Sequence, residues 1–137
     1  MHIRKANLSH KTQEDLDWLD RLAFPMDTPY PKNGAEWWIA YDEKTCFAFA
    51  GLKNVGHETG FLCRVGVIKA YRGQGFQKRL IRVRENFARK VGLKWLITYV
   101  SPTNLKSANS LIACGFKLYN PQNPYGMEHA MYFRKSL

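Results

Sequence analysis

No run in this 137-residue sequence approaches the roughly 18 consecutive apolar residues of a membrane span, which excludes a helical membrane protein. Met1-His2-Ile3-Arg4-Lys5 is not followed by an apolar segment, so no secretory signal is expected and a cytoplasmic location is. Cysteine is sparse. Cys46, Cys63 and Cys114 are odd in number and form no C-x-x-C pair, which argues against a disulfide framework or a zinc site and predicts no metal. Each stands in an apolar segment and is expected as a buried free thiol of a reducing compartment. Acidic residues nearly vanish after residue 43. Residues 1–43 hold five Lys/Arg and eight Asp/Glu, for −3, whereas residues 44–137 carry +13. Between Lys69 and Lys94 stand nine basic residues and one acid, Glu85. Such an asymmetric field predicts an anionic partner. The dinucleotide pattern G-x-G-x-x-G is absent, since Lys78 stands three positions after Gly75, and no G-x-x-x-x-G-K-[ST] loop occurs. Internal repeats and low-complexity tracts are missing too.

What remains is the composition of a globular chain, 45% hydrophobic and 14% aromatic, long enough to fold as one domain over residues 1–137 without staples. One stretch organises it: Val65-Gly66-Val67-Ile68-Lys69-Ala70-Tyr71-Arg72-Gly73-Gln74-Gly75-Phe76-Gln77. An apolar run leads into a glycine-bearing turn that opens into a basic helix. Such a turn leaves backbone N–H groups unpaired at a helix N-terminus, where the macrodipole favours an anion. Gly73 and Gly75 let the backbone curl close to a ligand, and Arg72, Lys78 and Arg79 can add full charges. A tight strand-to-helix connection is the plainer reading of the same glycines.

Arg72, Gly75 and Gln77 resemble the Q/R-x-x-G-x-G/A loop of the GCN5-related N-acetyltransferase (GNAT) superfamily, with Gln77 departing from the usual small residue. Downstream, Asn104, Ser107, Leu111 and the pair Gly115-Phe116 resemble its N-x-x-S/A…L-x-x-x-G-F element. The two motifs stand in order, 29 residues from Gly75 to Asn104. The resemblance covers roughly Trp37 to Phe133. It implies an α/β (α+β) fold with a mixed, strongly twisted sheet of about six to seven strands flanked by about four helices. It also implies acetyl-CoA as co-substrate, held by the backbone at Val65 and Val67, by Arg72, Gly73, Gln74, Gly75, Phe76 and Gln77, and by Asn104 and Ser107.

Read along the chain, residues 2–6 form a first strand. Thr12-x-x-Asp15 suggests a capping box for a helix over 9–23, with Leu16, Leu19, Leu22 and Ala23 on its buried face. A proline-rich loop, residues 25–34, follows, as an acceptor contact or a surface connection. Residues 37–41 and 46–52 read as a hairpin around the turn 42–45, and Trp37 and Trp38 must face opposite ways. Residues 56–60 form the next turn. Residues 61–67 form a strand in which Gly66 marks a bulge or a close backbone approach. Phe76, Leu80, Val83, Phe87 and Val91 align on one helix face that Gly92 ends. Residues 95–100 read as a buried strand. A helix from about Asn104, its N-cap, to Cys114 follows, with Ala108, Leu111 and Ile112 inward and Gly115 as its stop. Lys117–Tyr119 and His129–Phe133 close the sheet around a polar-aromatic loop.

Acetyl transfer needs a polarised thioester, a neutral amine and a stabilised leaving thiolate. The backbone N–H near Val67 is the expected polarising group. The family positions for acid and base hold Leu111, Tyr99 and Phe61, so those roles do not transfer. Tyr99 is a candidate acid from its own strand position, against a buried structural tyrosine. Glu58, beside His57, is a candidate base acting through water, against an exposed turn. Ser107 and Ser110 suit helix and CoA contacts better than acid catalysis. The leading expectation is an acetyl-CoA-dependent N-acetyltransferase that acetylates a primary amine directly in a ternary complex. The alternatives are a GNAT-fold binding protein without catalysis that acts on a protein partner, and one acting on nucleic acid or aminoacyl-tRNA. The acceptor and the oligomeric state stay open.

Overall fold

The computed structural model describes residues 1–43 and 45–137. The elements run β1 (His2–Lys5), α1 (His10–Ala23), β2 (Glu36–Asp42), β3 (Thr45–Gly56), β4 (Thr59–Val67), α2 (Phe76–Lys90), β5 (Trp95–Val100), α3 (Leu105–Ala113), β6 (Lys117–Leu118) and β7 (Met131–Ser136). A single 3-10 turn, Lys69–Tyr71, precedes α2. The seven strands form one mixed sheet in the order β1-β2-β3-β4-β5-β7-β6, with β4 and β5 as its parallel pair. Three α-helices flank it where about four were expected. Pro25, Pro29 and Pro31 account for the difference, since they withhold N–H donors and clash with preceding carbonyls in the segment after α1.

The two tryptophans of β2 define the layers. Trp37 faces α1 and packs with Leu16, Leu19 and Phe49. Trp38 faces the opposite side, where α2 and α3 bring Leu80, Ile81, Ala108 and Leu111. Both are buried, so period-2 alternation serves a sheet covered on both faces.

Several local expectations shift. The N-cap of α1 is Ser9, whose hydroxyl accepts the Thr12 N–H, rather than a box begun at Thr12. Leu22 is half exposed on α1, as is Ile112 on α3. The buried face of α2 is turned from the expected stripe: Phe76, Leu80, Ile81, Arg84, Glu85 and Ala88 lie inside, and Val91 is exposed. The last strand starts at Met131, later than predicted. Of the turn at 42–45, Lys44 lies outside the described residues. Gly92 and Gly115 do end α2 and α3, each with the paired reverse-turn hydrogen bonds of a Schellman cap.

The feature that makes room for a site is the divergence of β4 from β5. They pair only where Thr59–Phe61 meets Trp95–Ile97. Beyond that, a hydrogen bond from Thr98 Oγ1 to the Leu62 carbonyl (2.9 Å) spans the widening gap. The bulge in β4 falls at Arg64: Ala50 opposes Val65 and Gly51 opposes Cys63, so Arg64 is the extra residue. Gly66 is therefore no bulge. It is the close approach, since a Cβ there would lie 2.6 Å from Phe49 and 2.7 Å from Ala23.

Candidate active site

The wedge between β4 and β5 holds two adjoining cavities. The outer one, about 620 Å³, runs from the loop after β4 to the start of α3. The inner one, about 280 Å³, lies deeper between the strands and under the proline-rich loop. Phe24, Val65, Gln77, Asn104 and Ser107 line both and so form the neck between them.

The outer cavity is built for an anion. Gly75 takes φ +83° as the N-cap of α2 and Gly73 takes +78°, backbone that other residues rarely adopt. Neither position has another atom within 4 Å of a would-be Cβ, so the loop face is open. None of the backbone N–H groups of residues 73–78 has an acceptor among the described residues. Arg72, Lys78 and Lys106 line the same space. Arg72 is partly committed, because its Nε donates to the Val67 carbonyl (2.8 Å) and ties the loop to the end of β4. Arg79, expected near the loop charge, instead lies over the Phe76 ring at 5.1 Å and lines neither cavity. Gln74 belongs to the loop but does not line the cavity.

At the neck, Asn104 caps α3, its Oδ1 accepting the Ser107 N–H at 3.2 Å. The Gln77 side chain neither points away nor crowds the loop. It crosses the neck, and its Nε2 donates to Ser107 Oγ at 2.8 Å.

The inner cavity has an aromatic and apolar wall of Phe24, Tyr30, Phe61, Tyr99, Leu111 and Met127, with Asp27, Arg64 and Arg84 as the charged residues in its lining. Tyr99 stacks on Phe61, with ring centroids 5.9 Å apart. Gly126 of the polar-aromatic loop lies on the Tyr99 ring, where a Cβ would come within 2.6 Å. That loop is pinned by Tyr125, whose hydroxyl meets Tyr119 at 2.7 Å; burial, then that hydrogen bond, push its phenol far above the ordinary range. All three family acid and base positions, Phe61, Tyr99 and Leu111, thus line one cavity, and Tyr99 is the one of them that carries a polar group. Glu58 stands apart from it. It lies on the exposed turn beyond the closed end of the wedge, three residues before Phe61, and lines neither cavity. Its backbone carbonyl accepts the Lys94 and Trp95 N–H groups and so ties the turn to the start of β5.

Sequence reasoning missed two groups. Asp20 on α1 is 1% exposed and gathers Lys32 Nζ, Arg64 Nη1 and the Tyr30 N–H, each at 2.8 Å. Burial alone would raise its carboxyl, but the Lys32 and Arg64 hydrogen bonds hold it below the ordinary value. This cluster fastens the proline-rich loop and the β4 bulge over the inner cavity. The second group is Arg84. It is 2% exposed and lines the inner cavity. Its Nε donates to the Leu80 carbonyl (3.1 Å), and its Nη1 to those of Gly51 (2.9 Å) and Cys63 (3.3 Å). No carboxylate among the described residues pairs with it. A usable signal was present: Arg84 stands four residues from both Leu80 and Ala88, on a helix face otherwise largely apolar.

A sequence profile of the acetyltransferase (GNAT) family matches residues 5–116. No curated protein matches the chain significantly. Among solved structures, a Bacillus subtilis acetyltransferase in complex with CoA superposes with TM-score 0.80 at 14% identity, covering 99% of this chain and 98% of that one. The PaiA N-acetyltransferase of Thermoplasma acidophilum, in complex with coenzyme A, gives 0.79 at 17% identity over 100% of both chains. A ribosomal-protein-alanine N-acetyltransferase of Brucella melitensis gives 0.76 at 18%, again over 100% of both. At these identities the superpositions carry the fold, while the profile spans most of the chain and both loop motifs. The chain belongs to the acetyltransferase (GNAT) family.

Proposed function

We propose that the protein is an acetyl-CoA-dependent N-acetyltransferase that transfers the acetyl group directly to a primary amine. The observation that carries this reading is the run of backbone N–H groups at residues 73–78 without an acceptor among the described residues, all of these residues but Gln74 lining a cavity shared with Arg72 and Lys106. A pyrophosphate is the ligand such a cradle suits: it offers many acceptor oxygens to fixed donors, and its charge meets the helix N-terminus. The pantetheine arm then passes the neck, between the Val65 and Val67 backbone on one side and Asn104 and Ser107 on the other. The Gln77–Ser107 hydrogen bond opens as the arm enters. The thioester reaches the inner cavity.

The acceptor amine enters that cavity from the side of the proline-rich loop and Met127. Its aromatic wall and the buried Arg84 charge both disfavour an ammonium ion, so the amine loses its proton on burial and presents a lone pair. Holding the two substrates together supplies much of the rate, and no covalent enzyme intermediate is needed. Of the three family acid and base positions, Tyr99 is the one whose hydroxyl can pass the amine's surplus proton on towards solvent. Glu58 has no part in this scheme.

Phe61 and Leu111, which cannot titrate, favour a second reading: a CoA-binding protein that does not catalyse transfer. Calorimetric titration with acetyl-CoA and CoA, on wild type and Gly75→Glu, separates the possibilities. Micromolar binding that disappears in the variant is expected, because a glutamate puts bulk and negative charge into the cradle at positive φ. A folded wild type that binds neither ligand overturns the reading. Thiol release with a panel of amines then distinguishes transfer from binding alone.

A further inference from the structure

Arg84 is the one buried cation in the inner cavity for which the fold supplies no counter-charge among the described residues. Burying an arginine unpaired costs several kcal/mol even after relaxation. The three backbone carbonyls it engages are satisfied through Nε and Nη1 alone. Nη2 makes no hydrogen bond among the described residues. Yet among the described residues no fully buried side-chain nitrogen or oxygen lacks a partner. Nη2 is therefore the part of the group that meets the cavity. Stitching carbonyls together needs only a neutral donor, so the charge and the open nitrogen are left without a structural use.

The position along α2 indicates what meets that nitrogen. Arg84 lines the inner cavity and not the outer one, so it does not serve the phosphates. It lies eight residues beyond Phe76, roughly 12 Å up the helix at 1.5 Å per residue. That rise is comparable with the reach of an extended pantetheine arm from a pyrophosphate at the helix start. Its neighbours in the cavity include Leu111, at the position where related enzymes carry an acid for the leaving group. Arg84 also holds the carbonyl of Cys63, the residue before the β4 bulge.

We propose that Arg84 stabilises the thiolate that leaves when the thioester breaks, replacing the proton donor that Leu111 cannot be. This rests on the transferase reading above. In the step, the amine lone pair forms the C–N bond at the thioester carbonyl carbon. The C–S bond breaks with its electron pair on sulfur, beside the guanidinium. The surplus proton on nitrogen leaves to solvent, so the products are the amide, CoA thiolate and a proton. Burial pushes the Arg84 guanidinium down to about 10, which still leaves it charged at neutral pH. A fixed cation beside the sulfur favours the thiolate over the thiol without reorganising during the reaction.

The test reads the CoA thiol directly, through the ultraviolet absorbance of its thiolate as a function of pH, free and bound to the wild-type protein. The bound thiol is expected to ionise about one pH unit or more below the free one. In Arg84→Gln it should return towards the free value, and in Arg84→Lys it should stay shifted. On the same reading, kcat in Arg84→Gln falls about 100-fold, with KM for acetyl-CoA changed much less. The wild-type measurement needs no variant, so a failure of Arg84→Gln to fold does not blunt the test. CoA that binds with an unshifted thiol overturns this proposal alone. CoA that does not bind at all overturns the transferase reading with it.

Discussion

Gln77 is the residue at which this chain departs most visibly from its family's loop, and the structure gives the departure a physical form. A small residue there would leave the neck open, whereas Gln77 spans it to Ser107 at 2.8 Å. A pantetheine arm passing the neck has to break that bond. A typical net hydrogen bond contributes about 0.5–1.5 kcal/mol, so Gln77→Ala should bind acetyl-CoA about three- to tenfold more tightly. Calorimetry on the purified variant measures it. Unchanged or weaker binding would show that Gln77 contacts the arm instead of obstructing it. Gly75, two positions earlier, has the opposite expectation, since any added side chain intrudes on the cradle.

Between elements, the Asp20 cluster decides the shape of the inner cavity. It joins α1, the proline-rich loop through Tyr30 and Lys32, and the β4 bulge through Arg64. Removing one member of a buried charged set leaves the others uncompensated, so Asp20→Asn should lower stability by about 3–5 kcal/mol. The pH dependence follows from the sign of the shift. The folded carboxyl ionises below its ordinary 3.8, so its contribution is complete above that value and is lost as pH falls through the folded one. Urea midpoints taken from pH 7 downwards should fall steeply in wild type below about pH 4 and more gently in Asp20→Asn. Parallel curves would remove the cluster from the account of acid sensitivity. Its members were individually visible in the sequence, but Asp20 and Arg64 are 44 positions apart. No periodicity links them, because the contact exists only once α1 lies across the sheet.

For the whole molecule, the sheet separates a face covered by α1 from one covered by α2 and α3, and all three cysteines are buried, Cys46 and Cys63 on strands and Cys114 at the end of α3. Burial pushes the Cys63 thiol up to about 11 and raises Cys46 as well, which suppresses the reactive thiolate. The native protein should therefore consume an aromatic disulfide reagent negligibly over minutes, and three equivalents per chain once denatured. Rapid native reaction of even one thiol would mean that the sheet opens more readily than its packing implies.

What the sequence by itself determined is the local chemistry. The glycine turn into α2, the Asn104 cap, the Gly92 and Gly115 stops and the hairpin of β2 and β3 each depend on residues a few positions apart. Alternation likewise sends Trp37 and Trp38 to opposite faces without further information. Only the tertiary structure decided where the β4 bulge falls, which face of α2 is inward and which charges stand in the cavity. Arg84 reaches the Gly51 carbonyl 33 positions away, and Gln77 reaches Ser107 at 30. An arginine inside an amphipathic helix reads as a solvated charge until the sheet beneath it offers carbonyls and no carboxylate. The physical reason is range. Caps and turns are settled by sterics and hydrogen bonds within one or two turns of chain, whereas a buried charge is defined by everything that packs around it.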